Sequence, residues 1–531
     1  MNSYYLPRLG LIINLIFLEE KSMNFMNAMQ NELNNETQLT ENGGVGYRTT
    51  GKKLLDLNFA VSSLRMASEQ EIINKFMDAY YENPILAMQW LFYNRDARQG
   101  LGERRTFRVI LKYLAEDKPD VVRNVIPLVA GYGRYDDLWC LLDTDLKTDV
   151  FKVIKAQLQK DEINMRKNVP ISLLAKWLPS ENASSMKTKR YAIMIREWYG
   201  LSSRDYRKML SEMRKYIDVV ERKMSAKQWD EINYETVPSR ANLIYNNAFL
   251  RNDEERRREY LGKLEKGEAR INSSVLFPHD IVHKYENLGG WDNTVNPYDA
   301  ALEGMWKALP NTVNECDNTI VVADGSGSME CRVDPNSSVT ALDVANALAI
   351  YFAERASGEF KDKYITFSSR PQLVDLSNAR SLHDKINIAL RHNECANTNI
   401  EATFNLILQT AINNHMSQED MPKNVLIISD MEFDSAVDYM HKPNKTLFQT
   451  IANKYATHGY KLPRLIFWNV NSRTGTIPVK ENELGVALVS GFSVNVVNMV
   501  MSNKLDPYEC LLDVLNSERY LPIKNVIEDI M

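Results

Sequence analysis

From Glu69 to about Glu286 the apolar residues recur at helical spacing. Ile72, Ile73, Phe76 and Met77 repeat at three and four, and Leu111 and Leu114 lie three apart. Pro84, Pro119, Pro127, Pro170 and Pro179 punctuate the pattern at intervals that suggest helix pairs. Asp117-Lys118-Pro119-Asp120 reads as a turn that caps the following helix. There is no strict internal repeat, so irregular stacked helical hairpins are expected rather than a regular solenoid. After Pro310 the texture changes to short β-rich runs: Thr319–Ala323, Tyr364–Phe367, Val425–Ser429, Leu465–Val470 and Val486–Ser490. Helix-period segments lie between most of them, over Ala341–Arg355, Glu401–Asn413, Thr446–Thr457 and Val494–Ser502. Strands apolar on both faces, alternating with helices, predict a parallel, doubly wound α/β sheet. The fold class is therefore multidomain: an all-α N-terminal module joined to a C-terminal α/β domain. The expected division is a flexible tail over 1–46, a helical module over 47–310, and an α/β domain with a C-terminal helical extension over 311–531.

Charge sharpens that division. Net charge is −5 over 531 residues. Lys75 to Arg270 holds 37 Lys+Arg against 29 Asp+Glu, which leaves 27 against 40 elsewhere. A mildly basic module is thus joined to an acidic one. Hydrophobic residues at 44% and charged residues at 25% exclude a disordered or collagen-like chain. The cysteines, Cys140, Cys316, Cys331, Cys395 and Cys510, are odd in number and form no CxxC pair. Reduced thiols and a cytoplasmic location are expected. No apolar run reaches the roughly 20 residues that span a bilayer, so no membrane partner is expected. The apolar stretch Leu9–Leu18 is followed by Glu19, Glu20 and Lys21 instead of a cleavage site, and reads as an upstream extension or a docking segment.

The sharpest motif is Asp324-Gly325-Ser326-Gly327-Ser328, directly after the first β-rich run. Alternating glycines allow a tight turn that aims three oxygen-bearing side chains at one point. Hard cations such as Mg²⁺ take such oxygen ligands. Two further strand ends offer oxygens, at Thr398 and at Asp430. The loop lacks the Lys-Ser/Thr ending of a phosphate-binding loop, and Met329 stands where a nucleophile elbow needs glycine. In the helical half, basic clusters include Arg104, Arg105 and Arg108, then Lys187, Lys189 and Arg190, then Arg204, Arg207 and Lys208. Aromatics such as Trp177, Trp198 and Tyr199 lie among them. Such sets neutralise phosphates and stack unpaired bases, although solvated helix faces give the same spacing. His279 and His283 lie four apart, but Asp280 stands where a zinc-protease helix has glutamate, so a plain helix start is expected there.

The Asp-x-Ser-x-Ser loop with Thr398 and Asp430 resembles the metal-ion-dependent adhesion site of von Willebrand factor A domains, over about Asn311 to Ser502. That resemblance implies Ser326, Ser328 and Thr398 as direct ligands and Asp324 and Asp430 as mainly water-mediated groups. It also implies an open position for a carboxylate from a protein partner. The ion expected is Mg²⁺, with Mn²⁺ or Ca²⁺ as alternatives. Further segments, ARQGLGERRTFR (97–108), AGYGRYDDLW (130–139), LSSRDYRKMLSEMR (201–214) and VPSRANLIYNNAF (237–249), resemble the domain of unknown function numbered 2828. That family is similar in turn to the TROVE module of Ro autoantigens. The resemblance implies a HEAT-like helical ring that binds single-stranded or small structured RNA, without catalysis. By position it places RNA contacts at Arg196, Arg204 and Lys208, while Ser203 stands where Ro proteins carry histidine. The expected function is a monomeric, non-catalytic ribonucleoprotein component. The alternative is a metal-dependent interaction scaffold without RNA.

Overall fold

A computed structural model describes residues 37–287, 294–313, 318–367, 370–392, 399–434, 447–479, 485–496 and 506–530. Thr398, Cys316, Cys395, the stretch Leu9–Leu18 and the end of the predicted helix 494–502 lie outside the described residues.

Residues 53 to 285 are mostly helical, as the apolar periodicity requires. The Glu69–Glu82 helix starts where Ser68 accepts from the Glu71 N–H. The next helix, Pro84–Arg95, starts with proline at its first position and Asn83 accepting from the Leu86 N–H. The turn at 117–120 is also present: helix Arg105–Asp117 ends there and Pro119–Val125 begins. Its cap position is Lys118, which makes no side-chain cap bond.

Strands β1 (Thr37–Leu39) and β2 (Val45–Tyr47) pair antiparallel. So do the two-residue strands β3 (Glu286–Asn287) and β4 (Thr294–Val295). The main sheet contains β5 (Thr319–Asp324), β6 (Lys363–Phe367), β7 (Gln372–Asp375), β8 (Asn424–Ser429), β9 (Arg464–Asn469) and β10 (Val486–Ser490). Their order is β10-β9-β8-β5-β6-β7, and every pairing is parallel except the edge pair β6–β7. The parallel sheet is thus as read from the apolar runs. Edge strand β7 was not anticipated, because its burial is confined to Val374 and it carries no apolar run. Helix Ala341–Arg355 follows the predicted bounds and is buried all along 341–353, between β5 and helix Pro278–Tyr285.

One expectation about the chain's ends is corrected. The expected flexible tail over 1–46 includes a structured hairpin, because its polar groups find fixed partners. Thr40 Oγ1 donates to the Phe433 carbonyl at 2.5 Å, and Tyr47 exchanges backbone bonds with Ile477. Gly44 is required at this contact, since a Cβ there would lie 2.5 Å from the Phe433 carbonyl oxygen. At the other end, helices Pro507–Leu515 and Leu521–Glu528 pack against helix Pro84–Arg95 in the helical half. Gln89 Nε2 donates to the Leu515 carbonyl at 2.8 Å, and Arg519 pairs with buried Asp96 at 2.8 Å. The core runs on between the halves: Ser62 N–H donates to Ser490 Oγ at 3.1 Å and Asn469 Nδ2 to the Phe59 carbonyl at 2.8 Å.

Candidate functional sites at the strand ends and between the halves

β5 and β8 are parallel neighbours with Ala323 opposite Ile428, so Asp324 and Ser429 emerge side by side. Ser429 Oγ donates to Asp324 Oδ2 at 2.6 Å, and the Ser326 N–H to Asp324 Oδ1 at 2.9 Å. The turn brings Ser326 Oγ and Ser328 Oγ to 2.9 Å from each other. Asp430 accepts from the Glu432 N–H at 3.2 Å on Oδ1. Its Oδ2 is buried without a well-formed hydrogen bond, 3.3 Å from Arg473 Nη2. Burial, and then the charge of Asp430, push the Asp324 carboxyl up to about 7. Burial also raises Asp430, although Arg473 pulls the other way.

These residues suit an oxygen-loving cation. The donors are hydroxyls backed by carboxylates, and one buried carboxylate oxygen lacks a hydrogen bond. Adjacent ligands of an octahedral Mg²⁺ at about 2.05 Å stand about 2.9 Å apart, which the two serine oxygens match. Of the expected set, the structure brings together Asp324, Ser326, Ser328 and Asp430. Arg473 was not anticipated. Its Nη2 also pairs with Glu41 at 2.7 Å, and its Nη1 lies 3.4 Å from both the Ser328 carbonyl and Cys331 Sγ. It comes from the loop after β9, with no motif around it to mark it.

Glu432, two residues past Asp430, is fully buried. The N–H groups of Arg473 and Thr474 donate to its Oε1 at 2.9 Å, and that of Glu41 to its Oε2 at 3.0 Å. It therefore binds the β1–β2 hairpin and the 472–476 loop to the strand ends and has no lone pair to spare for acid–base work.

The three residues assigned to RNA are split. Arg196 pairs with Glu181 at 3.2 Å and Glu197 at 3.0 Å. Arg204 and Lys208 lie four apart on helix Ser203–Tyr216 and are both exposed, with Lys208 3.9 Å from Glu212. Other basic clusters converge elsewhere, on a cleft of about 980 Å³ between the halves. Seven Lys/Arg and five Asp/Glu line it. Four of the cations are engaged: Arg65 with Glu103, Arg108 with Asp136 and Asp137, Arg240 with Asp280, and Arg105 with the carbonyls of Leu64, Arg65 and Ala67. Arg104, Lys112 and Lys187 have no ion-pair partner among the described residues. Removal from solvent, and then Arg134, Arg108 and Arg95 nearby, push the Arg104 guanidinium down to about 10, so it stays cationic. Trp139, Trp177 and Tyr191 lie in the same wall, and Arg134 covers the Trp177 ring at 3.9 Å. Arg196, Arg204 and Lys208 do not line this cleft.

The histidine pair forms no metal site. Buried His279 stacks on Phe277 at 5.4 Å and meets the edge of Phe492 at 5.2 Å. Burial pushes its pKa down to about 4.

Residues 182–318 match the family described as domain of unknown function DUF2828, and residues 318–518 match that described as domain of unknown function DUF7788. The chain is also 29% identical over 540 residues to an uncharacterized protein of Acanthamoeba polyphaga mimivirus, covering 92% of this chain and 91% of that one. Among the described residues no helix is long and apolar enough to cross a membrane.

Proposed function

We propose that the chain is an RNA-binding component of a ribonucleoprotein, a Ro-like helical module joined to a von Willebrand factor A-type domain. The observation that carries this reading is the cleft, where separate basic clusters and three aromatic rings meet. Arg104, Lys112 and Lys187 are free to neutralise phosphates, and half-buried Trp139 offers a face to an unpaired base. Arg204 and Lys208 supply a second, outer basic surface. At the strand ends Ser326 and Ser328 would hold a divalent cation, with Asp324 and Asp430 behind them and Thr398 the expected third ligand. A bound cation there supplies an electrostatic anchor for a partner's carboxylate. Filter binding of a single-stranded RNA to nuclease-treated protein tests the RNA reading. The slope of log K against log salt should be about −0.7 per phosphate contacted. Absence of binding at low ionic strength overturns it.

The second reading is a metal-dependent interaction scaffold without RNA. It is favoured by the internal engagement of four of the seven cleft cations and by Glu69 and Asp334 on the same wall, which have no ion-pair partner among the described residues. Recovery of the chain free of ribonuclease-sensitive nucleic acid would support it.

A further inference from the structure

His283, in the last turn of its helix, does more than close that turn. From helix Pro278–Tyr285 its Nδ1 reaches Asp343 Oδ2 at 2.8 Å, and its Nε2 reaches Ser338 Oγ at 2.8 Å. Asp343 is fully buried at the start of helix Ala341–Arg355. His283 is about three-quarters enclosed, with its side chain 24% exposed, and Ser338 is exposed. Carboxylate, imidazole and hydroxyl thus run in that order from the core to solvent.

The hydrogen bonds decide the protons. Asp343 Oδ2 also accepts from the Thr340 N–H at 2.9 Å, so it is an acceptor with a fixed donor already in place. Burial works to raise the Asp343 carboxyl, but its bonds from His283, Glu286 and Thr340 outweigh that and hold it low, in the ionised form. Its buried neighbour Glu286 is raised by burial and takes the proton of that pair. An ionised Asp343 requires the His283 proton on Nδ1. Nε2 is then the acceptor, and the hydrogen bond to Ser338 must be donated by the serine hydroxyl. This is the relation of base to nucleophile that activates serine in acyl transfer.

The surroundings suit a substrate. Ser337 and Val339, on either side of Ser338, line the cleft between the halves, as does His279 one turn before His283. The Ser338 N–H donates to no acceptor among the described residues, so it is available to a developing oxyanion. The cleft's free cations favour a substrate with an anionic group.

We propose that Ser338 is a nucleophile activated by His283, with Asp343 as the positioning residue, acting on carboxylic esters that carry an anionic group. Ser338 Oγ forms a bond to the acyl carbon while its proton passes to His283 Nε2. The ester C–O bond then breaks, and the leaving alkoxide takes that proton. Water next attacks the acyl carbon and gives a proton to Nε2. The Oγ–acyl bond breaks, Oγ recovers the proton, and the products are a carboxylic acid and an alcohol. This goes beyond the scaffold reading and does not depend on RNA binding.

The test uses the full chain and a fluorophosphonate probe, with peptide mapping of the labelled residue. Labelling is expected at Ser338, absent in Ser338→Ala, and at least about 100-fold slower in His283→Gln, the lower range for a general base. Asp343→Asn should alter the pH profile of labelling, because an amide no longer demands the proton on Nδ1. Because Ser338 is exposed, Ser338→Ala should melt like the parent, and His283→Gln is compared only where circular dichroism shows it folded. No labelling of the folded parent, or equal labelling of Ser338→Ala, overturns the proposal. A His283→Gln variant that labels at the parent rate while melting lower would show the histidine to be a tie between helices only. RNA binding is measured on the same preparations, so loss of one reading leaves the other standing.

Discussion

At the ends of β5 and β8 two carboxylates lie buried side by side, and Arg473 is the nearest cation to Asp430. Beside the cleft a buried carboxylate is instead met by guanidinium groups: Asp137, next to the lining residue Asp136, is fully buried and bonded to Arg95 and Arg108 at 2.7 Å each. The first arrangement leaves like charges to be balanced by something that can come and go, a proton or a cation. The second is closed and serves as framework. Buried charge therefore marks a binding site where it is left unbalanced, and marks structure where it is matched.

The largest effect should come from opening the closed arrangement. Asp137→Ala strands Arg95, whose side chain is only 3% exposed, and also removes the acceptor of the Arg134 N–H. A loss of about 3–5 kcal/mol is expected by chemical denaturation. A loss below about 1 kcal/mol would remove the distinction between the two regions. Opening the tie at the strand ends should cost less. Glu432→Ala leaves the donors of Glu41, Arg473 and Thr474 without their acceptor, and about 1–3 kcal/mol is expected. Protease sensitivity around residues 37–47 should rise with it.

At the cleft, Arg104→Glu with Lys112→Glu should weaken single-stranded RNA at least about tenfold at low salt and reduce the salt slope by about 1.4. Arg204→Glu with Lys208→Glu should do less, because those residues stand on one exposed helix face outside the cleft. If the outer pair dominates in filter binding, the RNA surface lies on that helix. At the strand ends, millimolar Mg²⁺ should raise the parent's melting temperature by a few degrees, and Asp324→Asn should abolish that rise and leave RNA affinity unchanged.

A further effect concerns acid. Buried His279 is neutral in the folded chain, with its pKa near 4, and takes up a proton at 6.5 when unfolded. The unfolded state therefore binds more protons between these values, so stability is full above about 6.5 and falls as pH drops towards 4. His279→Phe should flatten that limb of the melting-temperature profile. An unchanged slope would assign acid sensitivity to other groups.

What was legible in the sequence follows from how local each feature is. The strand-end cluster could be read because a parallel sheet sets Asp324 beside the residues after β8 once two apolar runs are recognised. Helix Ala341–Arg355 could be read from its helix-period apolar spacing. Arg473 could not, because it reaches the site from a loop whose path is set by Glu432. The cleft was visible only as separate clusters, since Arg104, Lys187 and Arg240 come from three helical segments and Val339 from the other half. Arg108 was read within a basic cluster, although Asp137, 29 positions on, ties it and Arg95 inward. The β1–β2 hairpin looked like a tail because its order comes from Phe433, Glu432 and Ile477 rather than from its own apolar residues.

The pairing of Asp96 with Arg519 also bears on how the chain is made. The two residues are 423 positions apart, and a ribosome adding roughly 5–20 residues per second leaves an interval of about 20–80 s between them. Throughout that time the helix Pro84–Arg95 has left the exit tunnel without the C-terminal helices that cover it. The nascent protein thus carries an uncovered apolar face and an unmatched carboxylate until residues 507–528 have been made and can dock. Nascent-chain lengths that stop before Leu521 should be the ones that recruit chaperones, and release of the last helices should end that dependence.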